Sequence, residues 1–287
     1  MWIWAGYASA ALNLSPADRQ WLAQHPVVRY APEADYGPFV FEPEGQAPQG
    51  MSVDFLALIG KEAGIQFVPT PAAPLSHNLD LAKAHEVDVI TSLRPTPERA
   101  QYLGFTSPYV SIPATAVARS GDAASTDLRQ LAGHTVAVGK GYGVEAFVRE
   151  HYPAVHWLAV PDDLAGLTAL RQRKVDAAVM DEASYAFLIK QQGWQDVQLG
   201  ERVGFNYPLS MAYRADWPEL GRIMEAALRD IPSDQKSALM SKWLSTTPKR
   251  GWLVGHRPLL FAGVLLLIGA LALAIARRKS APAPANT

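Results

Sequence analysis

The sequence predicts an α/β fold of two lobes, followed by one C-terminal transmembrane helix. Three observations carry that prediction. Short β-rich apolar runs alternate with segments of helical periodicity along most of the chain. The stretch LAKAHEVDVITSL at 81–93 is echoed by LTALRQRKVDAAVMD at 167–181: each is a basic helix end, a tight turn and a Val-Asp pair opening an apolar strand. The pairs Val87-Asp88 and Val175-Asp176 stand 88 residues apart, as two similarly built lobes would place them. Finally, residues 258–276, PLLFAGVLLLIGALALAIA, run for 19 positions without a charge. As a helix they cover about 28 Å, close to a bilayer core of about 30 Å.

Taken in order, residues 1–10 (MWIWAGYASA) form a short apolar stretch ending in Ala8-Ser9-Ala10. That ending has the small-x-small form of a signal-peptidase site but lacks the basic region of a complete signal, so the segment reads as partial and signal-like. Strands are expected at 27–30, 65–68, 87–92, 135–138, 157–160, 175–180 and 209–213. Helices are expected at 53–63, where Phe55, Ile59 and Ala63 share a face, and at 144–151, 164–172, 219–228 and 233–243, with Ser233 as the N-cap of the last. The apolar run 258–276 follows Trp252 and precedes Arg277, Arg278 and Lys279, flanks that suit a membrane span. Lys249, Arg250 and Arg257 balance those charges on the other side, so the signal-like start decides the orientation: 11–250 outside the cytoplasm and a short basic, disordered tail, 277–287, inside.

Composition excludes several classes of function. Lys and Arg number 26 against 27 Asp and Glu, a net charge of −1 that offers no field for nucleic acid. There is no cysteine, which removes disulfides, thiolate metal sites and cysteine nucleophiles. The seven histidines are scattered without ligand spacing, and neither a metal nor a cofactor is expected. GKGYG at 139–143 has the spacing of neither a phosphate loop nor a dinucleotide fingerprint, and reads as a strand-to-helix turn. Ser233-Asp-Gln-Lys236 matches a serine–lysine pattern, but Ser233 already has a capping role, and no enzyme activity is expected.

The segments YAPEADYGPFVF (30–41), GMSVDFLALIGKEAG (50–64), VDVITSLRPTPERAQYLGFTSPYV (87–110), LAGHTVAVGKGYGVEAF (131–147) and VDAAVMDEASYAFL (175–188) together resemble the family 3 periplasmic solute-binding proteins. The resemblance covers about residues 15–245, and T-x-E-R-x-x-x-x-x-F-T at 96–106 is its most specific block. The opening LSPADRQWLAQHPVVRYAPEADYGPF is similar to the sensing modules that precede a membrane helix in some sensor kinases and diguanylate cyclases. The resemblance implies a two-lobed periplasmic-binding-protein (Venus flytrap) fold over 11–247. Lobe 1 would comprise about 27–112 and 208–247 and lobe 2 about 113–207, with crossings near 110–114 and 206–210 as the hinge.

Arg99 follows a predicted strand, in a loop at the carboxyl edge of its sheet, where open α/β sheets place ligands. Its guanidinium can grip a carboxylate with two parallel hydrogen bonds; pairing with Glu98 or Asp35 is the plainer alternative. The resemblance implies that Arg99 holds a ligand α-carboxylate supported by Thr91 and Ser92, and that Asp181 receives the α-amino group. Asp181 suits equally the cap of a helix starting near Glu182. Tyr36 and Phe39 match an aromatic lid, Phe39 being equally suited to the core, and Glu33 matches an acidic position that reads basic side chains in some members.

The sequence departs from the family pattern at three places. Met51 stands for an aromatic platform, Arg94 for a small hydroxyl residue, and Tyr142-Gly143-Val144 for hydroxyl and amide side chains. If it faces the cleft, Arg94 favours an acidic ligand. The expected function is a periplasm-facing binding protein anchored in the bacterial inner membrane, which closes on an amino-acid-like or carboxylate ligand and serves transport with a permease. The alternative is a sensing module acting with a signalling partner through the membrane helix. A cyclohexadienyl dehydratase-like enzyme is a minor alternative.

Overall fold

The structure is a computed structural model and describes residues 12–122 and 127–244. The signal-like segment 1–10, the apolar run 258–276 and the tail 277–287 lie outside the described residues. Among the described residues no helix is long and apolar enough to cross a membrane.

The first half contains α1 (Pro16–Gln24), β1 (Val27–Ala31), β2 (Asp35–Tyr36), β3 (Val40–Phe41), α2 (Met51–Ala63), β4 (Gln66–Pro69), α3 (Leu75–Lys83), β5 (Val89–Leu93), β6 (Leu103–Phe105) and β7 (Val110–Arg119). The second contains β8 (Thr135–Gly139), α4 (Gly143–His151), β9 (His156–Val160), α5 (Asp163–Arg171), β10 (Ala177–Asp181), α6 (Glu182–Gln192), β11 (Val197–Arg214), α7 (Pro218–Asp230) and α8 (Ser233–Leu244). Nine strands pair in the order β4-β1-β5-β11-β7-β10-β8-β9, with β6 also on β11. On one side β4, β1 and β5 are parallel, and on the other β10, β8 and β9 are parallel. The long antiparallel pair β7 and β11 belongs to both halves.

That pair joins the lobes. At its centre Val110 faces Leu209, Ile112 faces Tyr207 and Pro113 faces Asn206, so the two crossings expected from sequence lie side by side. The structure extends both beyond the expectation. β7 had no predicted strand, because Pro113 and a run of Ala and Thr hide its pattern. β11 starts at Val197, twelve residues before the expected start at Leu209, its register shifting between Leu199 and Arg202 and again before Asn206.

The two lobes repeat one local design. In each, a helix ends in a left-handed residue, His85 or Arg173, both at φ 58°. Three residues later an aspartate opens the central strand and accepts an amide from its parallel neighbour. Asp88 Oδ2 accepts from Arg29 N at 2.9 Å, and Asp176 Oδ2 accepts from Thr135 N at 3.0 Å. The Val-Asp echo in the sequence is the trace of this shared strand anchor. The strands that follow, β5 and β10, are buried at all five positions, as strands covered on both faces must be.

Helices cover the sheets for legible reasons. α2 buries Met51, Phe55, Leu56, Ile59 and Ala63 and stops at Gly64, whose φ of 76° suits a residue without a side chain. α7 starts at Pro218 and buries Leu220, Ile223, Met224, Ala227 and Leu228 along one stripe. α8 begins at Ser233 itself, so Ser233 is its first residue rather than its N-cap. Lys236 Nζ turns to the Arg229 carbonyl at 3.4 Å, away from any serine–lysine pair.

Candidate ligand cleft

Five parallel strands bring their carboxyl ends to one place between the lobes. β1 leads to Glu33 and Tyr36, β5 to Arg94 and Arg99, β8 to Tyr142 and Gly143, β9 to Asp163, and β10 ends in Asp181. The helices α4, α5 and α6 follow three of these strands, which is why polar side chains and free helix amides accumulate here. The space between is small. A cavity of about 20 Å³ remains, lined by Glu33, Tyr36, Ser92, Arg94, Arg99, Tyr142, Gly143 and Tyr207 with Leu75, Leu93 and Leu209. That is room for about one water, so an amino-acid-sized guest requires side chains or lobes to part.

Side chains from both lobes close the cleft. The Tyr142 hydroxyl of lobe 2 donates to Glu33 Oε1 of lobe 1. Arg99 donates to the Gly141 carbonyl at 2.5 Å and to the Arg94 carbonyl at 2.7 Å. Arg94 donates to the Gly143 carbonyl at 3.2 Å and lies 4.3 Å from the Phe205 ring centre. A Cβ on Gly143 would come within 2.9 Å of Arg94 Cδ, so glycine allows this approach. Further out, Phe187 of α6 rests on Gly37, where an added Cβ would sit 2.1 Å from the ring. Phe187 also meets Phe41 at 4.8 Å, and Phe41 meets Trp243 of α8 at 6.0 Å.

Arg99 is 5% exposed, yet none of the ion pairs among the described residues includes it. Glu98, the alternative partner, reaches Lys83 instead at 3.8 Å. Burial lowers the pKa of Arg99, as expected for a charge satisfied only by carbonyl groups. Glu33 is 7% exposed, and burial pushes its carboxyl up to about 8 against the opposing hydrogen bond from Tyr142. Asp181 caps α6: Oδ1 accepts the amides of Ala183 and Ser184, and Oδ2 accepts the Ser184 hydroxyl at 2.7 Å. Burial nevertheless raises it to about 6.

The other expected residues divide. Tyr36 lines the cavity and packs on Phe39 and Tyr142, with ring centres 4.9 and 5.7 Å away. Ser92 lines it from a left-handed backbone, φ 58°, its hydroxyl bonded to Ser52 and Tyr109; such strain concentrates at functional sites. Phe39 and Met51 are fully buried in the core and do not line the cavity. Thr91 and Asp181 are buried but also stand outside the lining, the Thr91 hydroxyl without a partner. Sequence reasoning missed Tyr207 and Asp163. Tyr207 falls in the predicted second crossing, which marks it as cleft-facing, whereas nothing in PDDLAG separates Asp163 from the capping Asp162.

A two-lobed α/β domain, with two shared crossing strands and strand ends converging on a charged cleft, is a Venus flytrap domain. The chain belongs to the bacterial extracellular solute-binding proteins, family 3, whose model matches residues 28–246. Sensor protein EvgS of Escherichia coli (strain K12) is 24% identical over 242 residues, covering 83% of this chain and 20% of EvgS. The L-cystine-binding protein TcyJ of Escherichia coli (strain K12) is 25% identical over 215 residues, covering 74% of this chain and 80% of TcyJ. The solved periplasmic VFT2 domain of Bordetella pertussis BvgS is similar with a TM-score of 0.74 at 21% identity, covering 80% of this chain and 98% of that one. The chain spans about a fifth of the length of the sensor relatives it matches. These relatives are binding and sensor proteins.

Proposed function

We propose that this chain closes its lobes on a small amino-acid-like carboxylate, facing the periplasm and held at the inner membrane by a helix over 258–276. The observation that carries the reading is Arg99: a buried guanidinium at the convergence of strand ends, without a carboxylate partner, bonded only to carbonyls that a ligand can replace. A bidentate carboxylate satisfies that charge far better than two neutral acceptors. Arg94 and Ser92 flank the same end. Asp181, Glu33 and the Tyr36 and Tyr142 hydroxyls form the opposite, amine-receiving end, while Thr91, Phe39 and Met51 support it from beneath. Charge-assisted hydrogen bonds worth about 1.5–3 kcal/mol each bring two or three such contacts near the roughly −8 kcal/mol of a micromolar binder.

A thermal-shift screen of the full chain against amino acids and small dicarboxylates tests this. A saturating ligand raises the melting temperature by binding only the folded state, and Arg99→Ala abolishes the rise. A shift that survives Arg99→Ala contradicts the reading.

The aromatic contact from Phe187 through Phe41 to Trp243 supports use of this binding in sensing, because it joins the lobe interface to α8, the final described helix. Transport is the second reading, supported by the likeness to TcyJ. Loss of labelled-ligand uptake on deleting the chain favours transport. Unchanged uptake with a lost transcriptional response favours sensing.

A further inference from the structure

The nine-stranded sheet ends in β4 on one side and in β9 on the other. An open edge presents a row of unpaired N–H and C=O groups, which proteins blunt with proline, charge or bulges. β4 is blunted in this way. The amides of Gln66 and Thr70 turn inward to the carbonyls of Pro26 and Tyr30, so Phe67 and Pro69 turn outward, and Pro69 has no N–H to offer. β9 has none of these devices. Its sequence, His-Trp-Leu-Ala-Val, contains no proline, acid, lysine or arginine, and all five residues pair with β8 in unbroken register.

The bonds at the two ends of β9 fix which of its groups are open. His156 N donates to the His134 carbonyl at 2.9 Å, and the Val160 carbonyl accepts from Lys140 N at 2.7 Å. In a parallel ladder His156, Leu158 and Val160 therefore give their backbone groups to β8, whereas Trp157 and Ala159 point theirs away from the sheet. Among the described residues no further strand pairs with β9, and no loop backbone bonds to those outward groups. Side chains leave the edge uncovered as well. His156 and Ala159 are exposed, and Leu158, 43% exposed, stands with Val27 and Leu199 as the exposed large apolar side chains among the described residues.

We propose that the open edge of β9 is the interaction surface for a second copy of this chain, paired antiparallel about a two-fold axis at Leu158. The strand's own arrangement selects that occupant. With Leu158 opposite Leu158 of the second copy, each Trp157 stands opposite an Ala159, and the outward groups of these two residues form four hydrogen bonds. Leu158 then falls in a non-hydrogen-bonded pair, where the Cα atoms approach to about 4.5 Å and the side chains meet. The exposed leucine covers its counterpart, and the bulky Trp157 lies beside the small Ala159. No like charges face each other, because His156 falls opposite Val160 and the nearest acid, Asp162, opposite Ala154. The proposal is independent of the ligand, since in lobe 2 β9 is the strand furthest from the β7 and β11 pair that joins the lobes.

The test exploits a chain without cysteine. Leu158→Cys introduces a single thiol, and a Cα separation of about 4.5 Å lies within the span of about 4.4–6.8 Å that a disulfide bridges. Mild oxidation of the full chain in detergent micelles converts Leu158→Cys to a covalent dimer on a non-reducing gel. Leu199→Cys, on β11 and 44% exposed, does not cross-link. Equal cross-linking of the two variants, or none in either, overturns the proposal. Sedimentation of the same full chain at micromolar concentration shows a dimer. Leu158→Lys removes the leucine contact and sets like charges opposite each other, which raises the dissociation constant by about tenfold or more at an unchanged circular dichroism spectrum. A dimer as tight in Leu158→Lys as in wild type overturns the proposal. A wild-type chain that is monomeric also overturns it and leaves the edge to a strand of another protein.

Discussion

Glu33 makes the stability of this domain fall as pH rises, and Glu33→Gln removes its share of that fall. The carboxyl is buried at the lobe interface and titrates at about 8, against 4.5 for a free glutamate. A folded-state pKa above the unfolded value means that the folded chain holds the proton more tightly. The associated stability is therefore complete below about pH 4.5 and is lost as pH rises through about 8. The full gap, at about 1.36 kcal/mol per pH unit, is about 5 kcal/mol, of which about 3.5 kcal/mol falls between pH 5 and pH 8. For a domain of this size that amounts to about 10 °C in melting temperature. Asp181 and Asp163 carry the same sign, so only the difference between wild type and Glu33→Gln isolates Glu33. Thermal unfolding at pH 5, 6, 7 and 8 gives a variant whose advantage grows steadily with pH. A constant difference across that range refutes the placement of an ionisable Glu33 in a dry interface.

Other outcomes follow from particular contacts. Phe187→Ala removes the ring that rests on Gly37 and Phe41, weakens lobe closure by about 1–2 kcal/mol and enlarges the radius of gyration in small-angle scattering; an unchanged profile contradicts a role for Phe187 in holding the lobes together. Arg173→Gly relieves a left-handed backbone on an exposed residue and raises stability by about 0.5–1 kcal/mol, read as a higher denaturation midpoint at unchanged slope.

Much of the fold could be read because its signals are local. The all-buried strands β5 and β10 appear as apolar runs, α2 and α7 as stripes, and the lobe repeat as a Val-Asp pair whose role is to tie one parallel strand to the next. What escaped depends on partners distant in sequence. β7 is a strand because β10 and β11 flank it, despite Pro113. α1 has little apolar character of its own and is held by the Ser15 cap and by Asp18 meeting Arg222 at 2.8 Å. The site divides in the same way. Arg99 could be found because it sits in a distinctive block beyond a central strand. Asp163 could not, since a second aspartate at a helix start looks like capping until its two oxygens prove to have no partner. Arg94 lines the cavity, and its stacking on Phe205 depends on a residue 111 positions away in sequence.

The most direct measurement is the affinity of the full chain for its best amino acid, compared with that of Arg99→Lys. Lysine keeps the positive charge but cannot make two parallel hydrogen bonds to a carboxylate. If Arg99 grips the ligand carboxylate, affinity falls by about tenfold or more while the melting temperature of the free protein changes little by comparison. Equal affinity in the two proteins would contradict the central claim, because the ligand would then be held elsewhere.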